Sequence, residues 1–191
     1  TICEKIFLWY EFIFKYATKK CTKTLDIYLY LTPFKKEIPD KSNDILGYHH
    51  ANTGFTTSCV KNGSIVIYRK EELIKVLIHE SLHVLGLDFS SDVSDNTFIF
   101  LKSIFPISSD LNINETYTEV WCELLNIVFS LFLSERENKN KIKKDDVISK
   151  IYNMIYIETI FSVFQMIKIL NFMNMRYKDI YSNNEKSALL R

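Results

Sequence analysis

A chain of 191 residues suits one domain, and with 47% hydrophobic and 25% charged residues it can bury a sizeable core, which excludes a disordered chain. The 24 basic and 23 acidic residues nearly cancel, and no basic stripe breaks the balance, so a nucleic-acid partner is not expected. Cys3, Cys21, Cys59 and Cys122 form no CxxC pair, which argues against a zinc ribbon or a dense disulfide scaffold. They read as reduced core thiols of an intracellular, cytoplasmic protein.

In chain order, residues 2–19 read as a helix and 25–31 as a strand of aromatic and branched residues that stops at Thr32-Pro33. A polar loop over 35–44 follows, then an irregular or hairpin-like segment over 49–64 in which Asn62-Gly63 is a turn signal. Residues 64–69 form a short branched run that reads as a second strand. The clearest helix is 71–85, with Glu71 and Glu72 suited to the dipole of its first turn and Gly86 placed for a left-handed cap. Residues 89–112 read as loop around a short apolar stretch, and 114–133 as a strongly apolar helix. A charged connector over 134–146 is the best internal boundary. Residues 147–180 then read as one or two helices packing through Phe161, Phe164, Ile167, Leu170 and Phe172. Glu158, Gln165 and Lys168 interrupt the apolar stretch from Ile151 to Met173, so it reads as a buried amphipathic helix and no membrane association is expected. The fold class expected is α+β: one domain over 1–191, a small sheet over the 71–85 helix, a mainly helical C-terminal half, and room for a helical subdomain at 147–181.

The segment His79-Glu80-Ser81-Leu82-His83 is an HExxH arrangement. Residues four apart on a helix share a face, so both imidazoles can reach one ion, and neutral imidazole nitrogen suits Zn2+. Glu80 follows the first histidine directly, flanks such a metal, and can take a proton from its bound water. Half of the chain's four histidines lie in this motif, on an uncharged helix that closes at a glycine.

A catalytic zinc site needs a third protein ligand. The metzincin spacing would require a ligand at position 89, which is Phe89, and Asp88 falls one residue early. Glu115 and Glu119, four apart on the next strong helix, fit better: Glu115 as ligand and Glu119 as the carboxylate behind a ligand histidine, or the two with roles exchanged. Acids solvated at a helix start are the plain alternative.

HExxH followed by Asn114-Glu115-Thr116-Tyr117-Thr118-Glu119 resembles the gluzincin branch of the zincin metallopeptidases, and the surrounding segments resemble metallopeptidases of large DNA viruses. The resemblance covers about a fifth of the chain. It implies His79, His83 and Glu115 as zinc ligands, Glu80 as general base and Glu119 behind the ligands. It also implies a zincin-like fold, a peptide or protein substrate, and host cytoplasm or virion as location. Ser64 to Arg69 would be the edge strand that pairs with extended substrate. An oxyanion donor would come from Tyr117, His49 or His50, or Tyr177 or Tyr181. A catalytically inactive zincin-like binding module and a helical interaction protein with a chance HExxH stay open as alternatives.

Overall fold

The alternation Ile65, Ile67, Arg69 buried against Ser64, Val66, Tyr68 half-buried makes 62–69 a strand with one face on a core. It is the centre of the sheet. The computed structural model describes residues 1–39, 47–89, 94–107, 111–138 and 144–182. The elements are α1 (Ile2–Ile13), β1 (Thr24–Thr32), α2 (Tyr48–Ala51), β2 (Gly54–Thr56), β3 (Asn62–Arg69), α3 (Leu73–Val84), α4 (Asp95–Ile104), α5 (Ile113–Asn138) and α6 (Lys144–Phe172), closed by a 3-10 turn at Tyr177–Ile180. The class is α+β, as expected.

The strand order is β1-β3-β2. β1 runs parallel to β3 with Ile27 beside Ile65, and β2 runs antiparallel to it with Phe55 beside Val66. Two expectations are corrected. Asn62-Gly63 makes no turn but lies inside β3, where a Cβ on Gly63 would come within 2.5 Å of Val84 and 2.8 Å of Thr22. Close approach of the end of α3 to the strand requires that glycine. Ser64 to Arg69 is not an edge strand: both its sides are paired, and the edges of the sheet are β1 and β2.

The helix expected over 2–19 ends at Ile13 because the residues after it cap another helix. Thr18 donates from its amide to the Leu85 carbonyl at 3.1 Å and from its hydroxyl to the Gly86 carbonyl at 3.0 Å. These bonds satisfy carbonyls left over at the end of α3. Gly86 takes φ +67°, the left-handed cap expected of it. Glu71 and Glu72 precede α3 rather than filling its first turn, and Glu72 pairs with Lys36 instead.

Packing from α1, α5 and β3 fixes α3, the helix of the metal motif. Ser81, fully buried on α3, accepts from Trp9 Nε1 at 3.1 Å and bonds Tyr10 hydroxyl at 2.8 Å, while its own hydroxyl reaches the Leu77 carbonyl at 2.6 Å. That ties α1 to α3 through a satisfied polar triad. Trp9 also meets Phe129 of α5 edge-on at 5.8 Å between ring centroids. Nearer the start of α5, Cys122 donates its thiol to the Lys75 carbonyl at 3.1 Å. Leu77, Ile78 and Leu82 on α3 are buried with Ile65 and Ile67 of β3 in one cluster, each such side chain contributing about 1.5–3 kcal/mol.

Further corrections fall on the C-terminal half and the cysteines. The short apolar stretch expected between the loop-like ends of 89–112 forms α4 (Asp95–Ile104), started by Ser94 in extended conformation and Asp95 in the first turn. α5 continues to Asn138, past the expected connector start, and α6 begins at Lys144. Residues 40–46, 90–93 and 139–143, within the expected loops and connector, lie outside the described residues. The expected buried helix over 151–173 is exposed. Leu170 is buried and Phe172 half-buried, but Phe161, Phe164 and Ile167 face outward.

The expectation of reduced thiols fails for Cys21 and Cys59, which are joined by a disulfide across 38 residues, while Cys3 and Cys122 are free. Wide sequence separation hides this pair. The bond fastens the chain before β1 to the segment before β3, just beneath the end of α3, where a Cβ on Gly86 would meet Cys21 sulfur at 2.5 Å. A loop of that length constrains the unfolded chain by about 4 kcal/mol. The Cys21→Ser/Cys59→Ser variant should therefore lose roughly 2–4 kcal/mol in urea unfolding. An unchanged midpoint would show that the bond does not form.

Candidate metal centre

Leu73–Val84 and Ile113–Asn138 meet where the first carries His79 and His83 and the second carries Glu115 and Glu119. The helical spacing of four brings the two imidazoles edge to face, with ring centroids 4.8 Å apart and their Nε2 atoms 3.1 Å apart. Glu115 reaches both: one carboxylate oxygen lies 3.2 Å from His79 Nε2 and the other 3.3 Å from His83 Nε2. The three residues expected as ligands are thus brought together, with one ligand atom of each within 4.8 Å of the others.

Each ring is held from behind. His79 Nδ1 donates to Glu119 at 3.1 Å, and His83 Nδ1 donates to Asp88 at 2.8 Å. With both Nδ1 atoms engaged, both Nε2 atoms are directed at Glu115. Glu119 stands behind His79, bonded to the ring nitrogen that faces away from Glu115. Asp88 is a partner that sequence reasoning misses: it lies one position early for a ligand but suits the far nitrogen of His83, and it is 3% exposed. Ser58 secures it, with its hydroxyl 3.3 Å from Asp88 and 3.2 Å from the His83 carbonyl. Lys75, also missed, lies one turn before His79 and pairs with Glu119 at 2.7 Å and Glu123 at 3.6 Å. The i, i+4 step back from His79 is the signal that could have found it.

Electrostatics follow from this crowding. Burial pushes the His79 pKa down, but hydrogen bonding with Cys122, Glu115 and Glu119 outweighs it and leaves the ring at about 11. His83 is likewise raised, burial being overcome by Glu115 and Asp88. Bonds from His79 and His83 hold Glu115 far below the usual carboxylate range, and His79, then Lys75, does the same for Glu119 against the opposing effect of burial. Glu80 behaves oppositely: it is 8% exposed, and burial raises its pKa although His79 and His83 pull it down.

The cluster opens on a cleft of about 620 Å³ whose walls include Glu80, His79, His83 and Glu115 on one side and Thr53, Gly54, Phe55 and Thr56 on the other. The β2 edge therefore runs along the site. A Cβ on Gly54 would sit 2.7 Å from the Val66 carbonyl, so glycine permits the close pairing of β2 with β3 here. Of the expected oxyanion donors, Tyr117 packs on Phe89 and Trp121, Tyr177 and Tyr181 bond each other, and His50 accepts from the Gly47 amide at 3.0 Å. None of these four lines the cleft, and the His49 side chain lies outside the described residues.

The chain matches no protein-family model, no curated protein and no solved structure.

Proposed function

We propose that this chain is a zinc-dependent peptidase of the zincin type, with His79, His83 and Glu115 as metal ligands and Glu80 as general base. One observation carries the reading. His79 Nε2 and His83 Nε2 lie 3.1 Å apart, close to one edge of a ligand tetrahedron, and the Glu115 carboxylate faces both, one oxygen 3.2 Å from the first and the other 3.3 Å from the second. Zinc bonds of about 2.0–2.1 Å imply edges of about 3.3 Å. The donor set of two imidazoles and a carboxylate is that of a hydrolytic zinc site, which keeps its fourth position for water.

A zinc ion held there supplies an acidified water and polarises a carbonyl. The remaining work belongs to the chain. Glu80 lies on the cleft wall beside the ligands without being one, and its raised pKa suits a group that must both accept a proton and return it. The free edge of β2 offers backbone partners to an extended peptide, a role moved here from Ser64–Arg69. Asp88 and Glu119 fix the tautomers, and Lys75 keeps Glu119 ionised. The Cys21–Cys59 bond supports an oxidising compartment rather than the cytoplasm.

Zinc titration of Glu115→Ala and Glu119→Ala tests the assignment. The first should lose stoichiometric metal, while the second keeps it with affinity lowered about 10–100-fold. The reverse order would exchange the two roles. Asp88→Asn should weaken zinc by a similar 10–100-fold, read by competition with a chelating dye. Unchanged affinity would reduce Asp88 to a structural partner of Ser58.

A further inference from the structure

The end of α3 is gripped from two sides, and each grip carries one half of the Cys21–Cys59 bond. From one side Thr18 bonds the Leu85 and Gly86 carbonyls, and the Cys21 amide closes back on the Thr18 carbonyl at 3.0 Å. From the other side the Cys59 amide reaches the His83 carbonyl at 3.3 Å. The Ser58 hydroxyl lies 3.2 Å from that same carbonyl and 3.3 Å from Asp88. Between the grips the chain passes so close to the sulfurs that a Cβ on Gly86 would meet Cys21 Sγ at 2.5 Å and Cys59 Sγ at 3.4 Å. Asp88 emerges from this clamp, 3% exposed, to hold His83 Nδ1 at 2.8 Å. Cys59 itself takes φ +46°, a left-handed conformation that a residue with a side chain keeps only where its surroundings impose it.

Building on the reading of His83 as a zinc ligand, we propose that the Cys21–Cys59 bond is a redox switch on the metal site. Oxidised, it holds Ser58 and Asp88 against His83; reduced, it releases that support and zinc affinity falls. Cys59 is the exposed half of the bond, whereas Cys21 is 2% exposed. A thiolate of a dithiol reductant therefore attacks the Cys59 sulfur and forms a mixed disulfide with it. The Cys21–Cys59 bond breaks, its electron pair leaves on the Cys21 sulfur, and that sulfur takes up a proton. The second thiolate of the reductant then displaces the Cys59 sulfur as a thiolate, which is protonated in turn. Two electrons have passed to the protein, and the reductant is left as its own disulfide. Cys59 thereby loses the covalent tie that fixes its left-handed backbone, and Ser58 beside it loses its register on Asp88. An orienting carboxylate of this kind tunes metal affinity by about 10–100-fold. The direction suits a peptidase that takes up its metal only after leaving a reducing compartment.

The test is zinc titration of the full chain against a chelating dye, before and after reduction by a phosphine that is removed before zinc is added. Reduction should weaken zinc binding by about 10–100-fold, and reoxidation should restore it. Cys21→Ser/Cys59→Ser, shown to be folded by circular dichroism well below its melting temperature, should match the reduced protein without offering free thiols to the metal. Ser58→Ala keeps the bond and should weaken zinc in the oxidised state. Asp88→Asn supplies a readout that a general loosening of the fold would not move. Its affinity should already be low when oxidised and should hardly change on reduction, because the two changes act through one contact. Reduced protein that binds zinc as tightly as oxidised protein overturns the switch, as does Ser58→Ala with wild-type affinity. Asp88→Asn that loses as much affinity on reduction as wild type also overturns it, since the bond then acts by another route. Oxidised wild-type protein that binds no zinc overturns the metal reading itself, a failure visible before any reductant is added.

Discussion

Replacing Glu80 by glutamine should leave the zinc content of the protein unchanged and lower peptide hydrolysis by about 10²–10⁴-fold. The amide has the size of the carboxylate but cannot accept the proton of a metal-bound water. Glu80 is not among the grouped ligand atoms, so metal should stay. The stability consequence has a definite sign. Burial raises the Glu80 pKa above the ordinary 4.5, so its ionisation in the folded state opposes folding as the pH rises through that raised value. E80Q should therefore melt no lower than wild type at neutral pH. Metal content by atomic absorption, turnover of a peptide library and a thermal melt check the three parts. A variant that keeps its zinc and its full activity contradicts the role of Glu80.

The second large effect falls on His79. His79→Ala should weaken zinc binding by far more than the roughly 10–100-fold expected from an orienting carboxylate, because it removes a ligand outright. It also strips Glu115 and Glu119 of the partner that holds both pKa values down. The paired His79 and the two carboxylates bracket a pH window in the metal-free protein. His79, raised from 6.5 to about 11, contributes stability that is full below pH 6.5 and lost as the pH climbs toward 11. Glu115 and Glu119, lowered from 4.5, contribute stability that is present above 4.5 and lost on acidification below it. Melting temperature in the presence of a chelator should therefore peak near mildly acidic pH in wild type, and the peak should flatten in H79A. Proton and metal compete for the same Nε2, so zinc affinity should rise with pH. Affinity that falls as pH rises would contradict this competition.

The convergence of His79, His83, Glu115 and Glu119 is legible in the sequence because its information is local. Spacing within one helix places His79 and His83 together, and the same spacing on the next apolar helix exposes Glu115 and Glu119. What escapes depends on long-range pairing. The Cys21–Cys59 bond joins residues with no local signature, and the central place of β3 depends on β1 and β2 both pairing with it. Asp88 fails the spacing required of a metal ligand, yet five residues after His83 it meets the back of the ring. A helix over the whole of 2–19 overshoots because nothing local shows that Thr18 turns away to cap α3. The exposure of α6 is hidden for a related reason, since composition reveals an apolar helix but not which side its neighbours leave uncovered.

The central claim is that His79, His83 and Glu115 hold one zinc ion. Anomalous diffraction at the zinc edge from crystals of the full chain tests it most directly. The account predicts one peak within about 2.0–2.2 Å of His79 Nε2, His83 Nε2 and a Glu115 oxygen. A peak among the neighbouring group of His79, Glu119 and Cys122, or no peak at stoichiometric zinc, would contradict it.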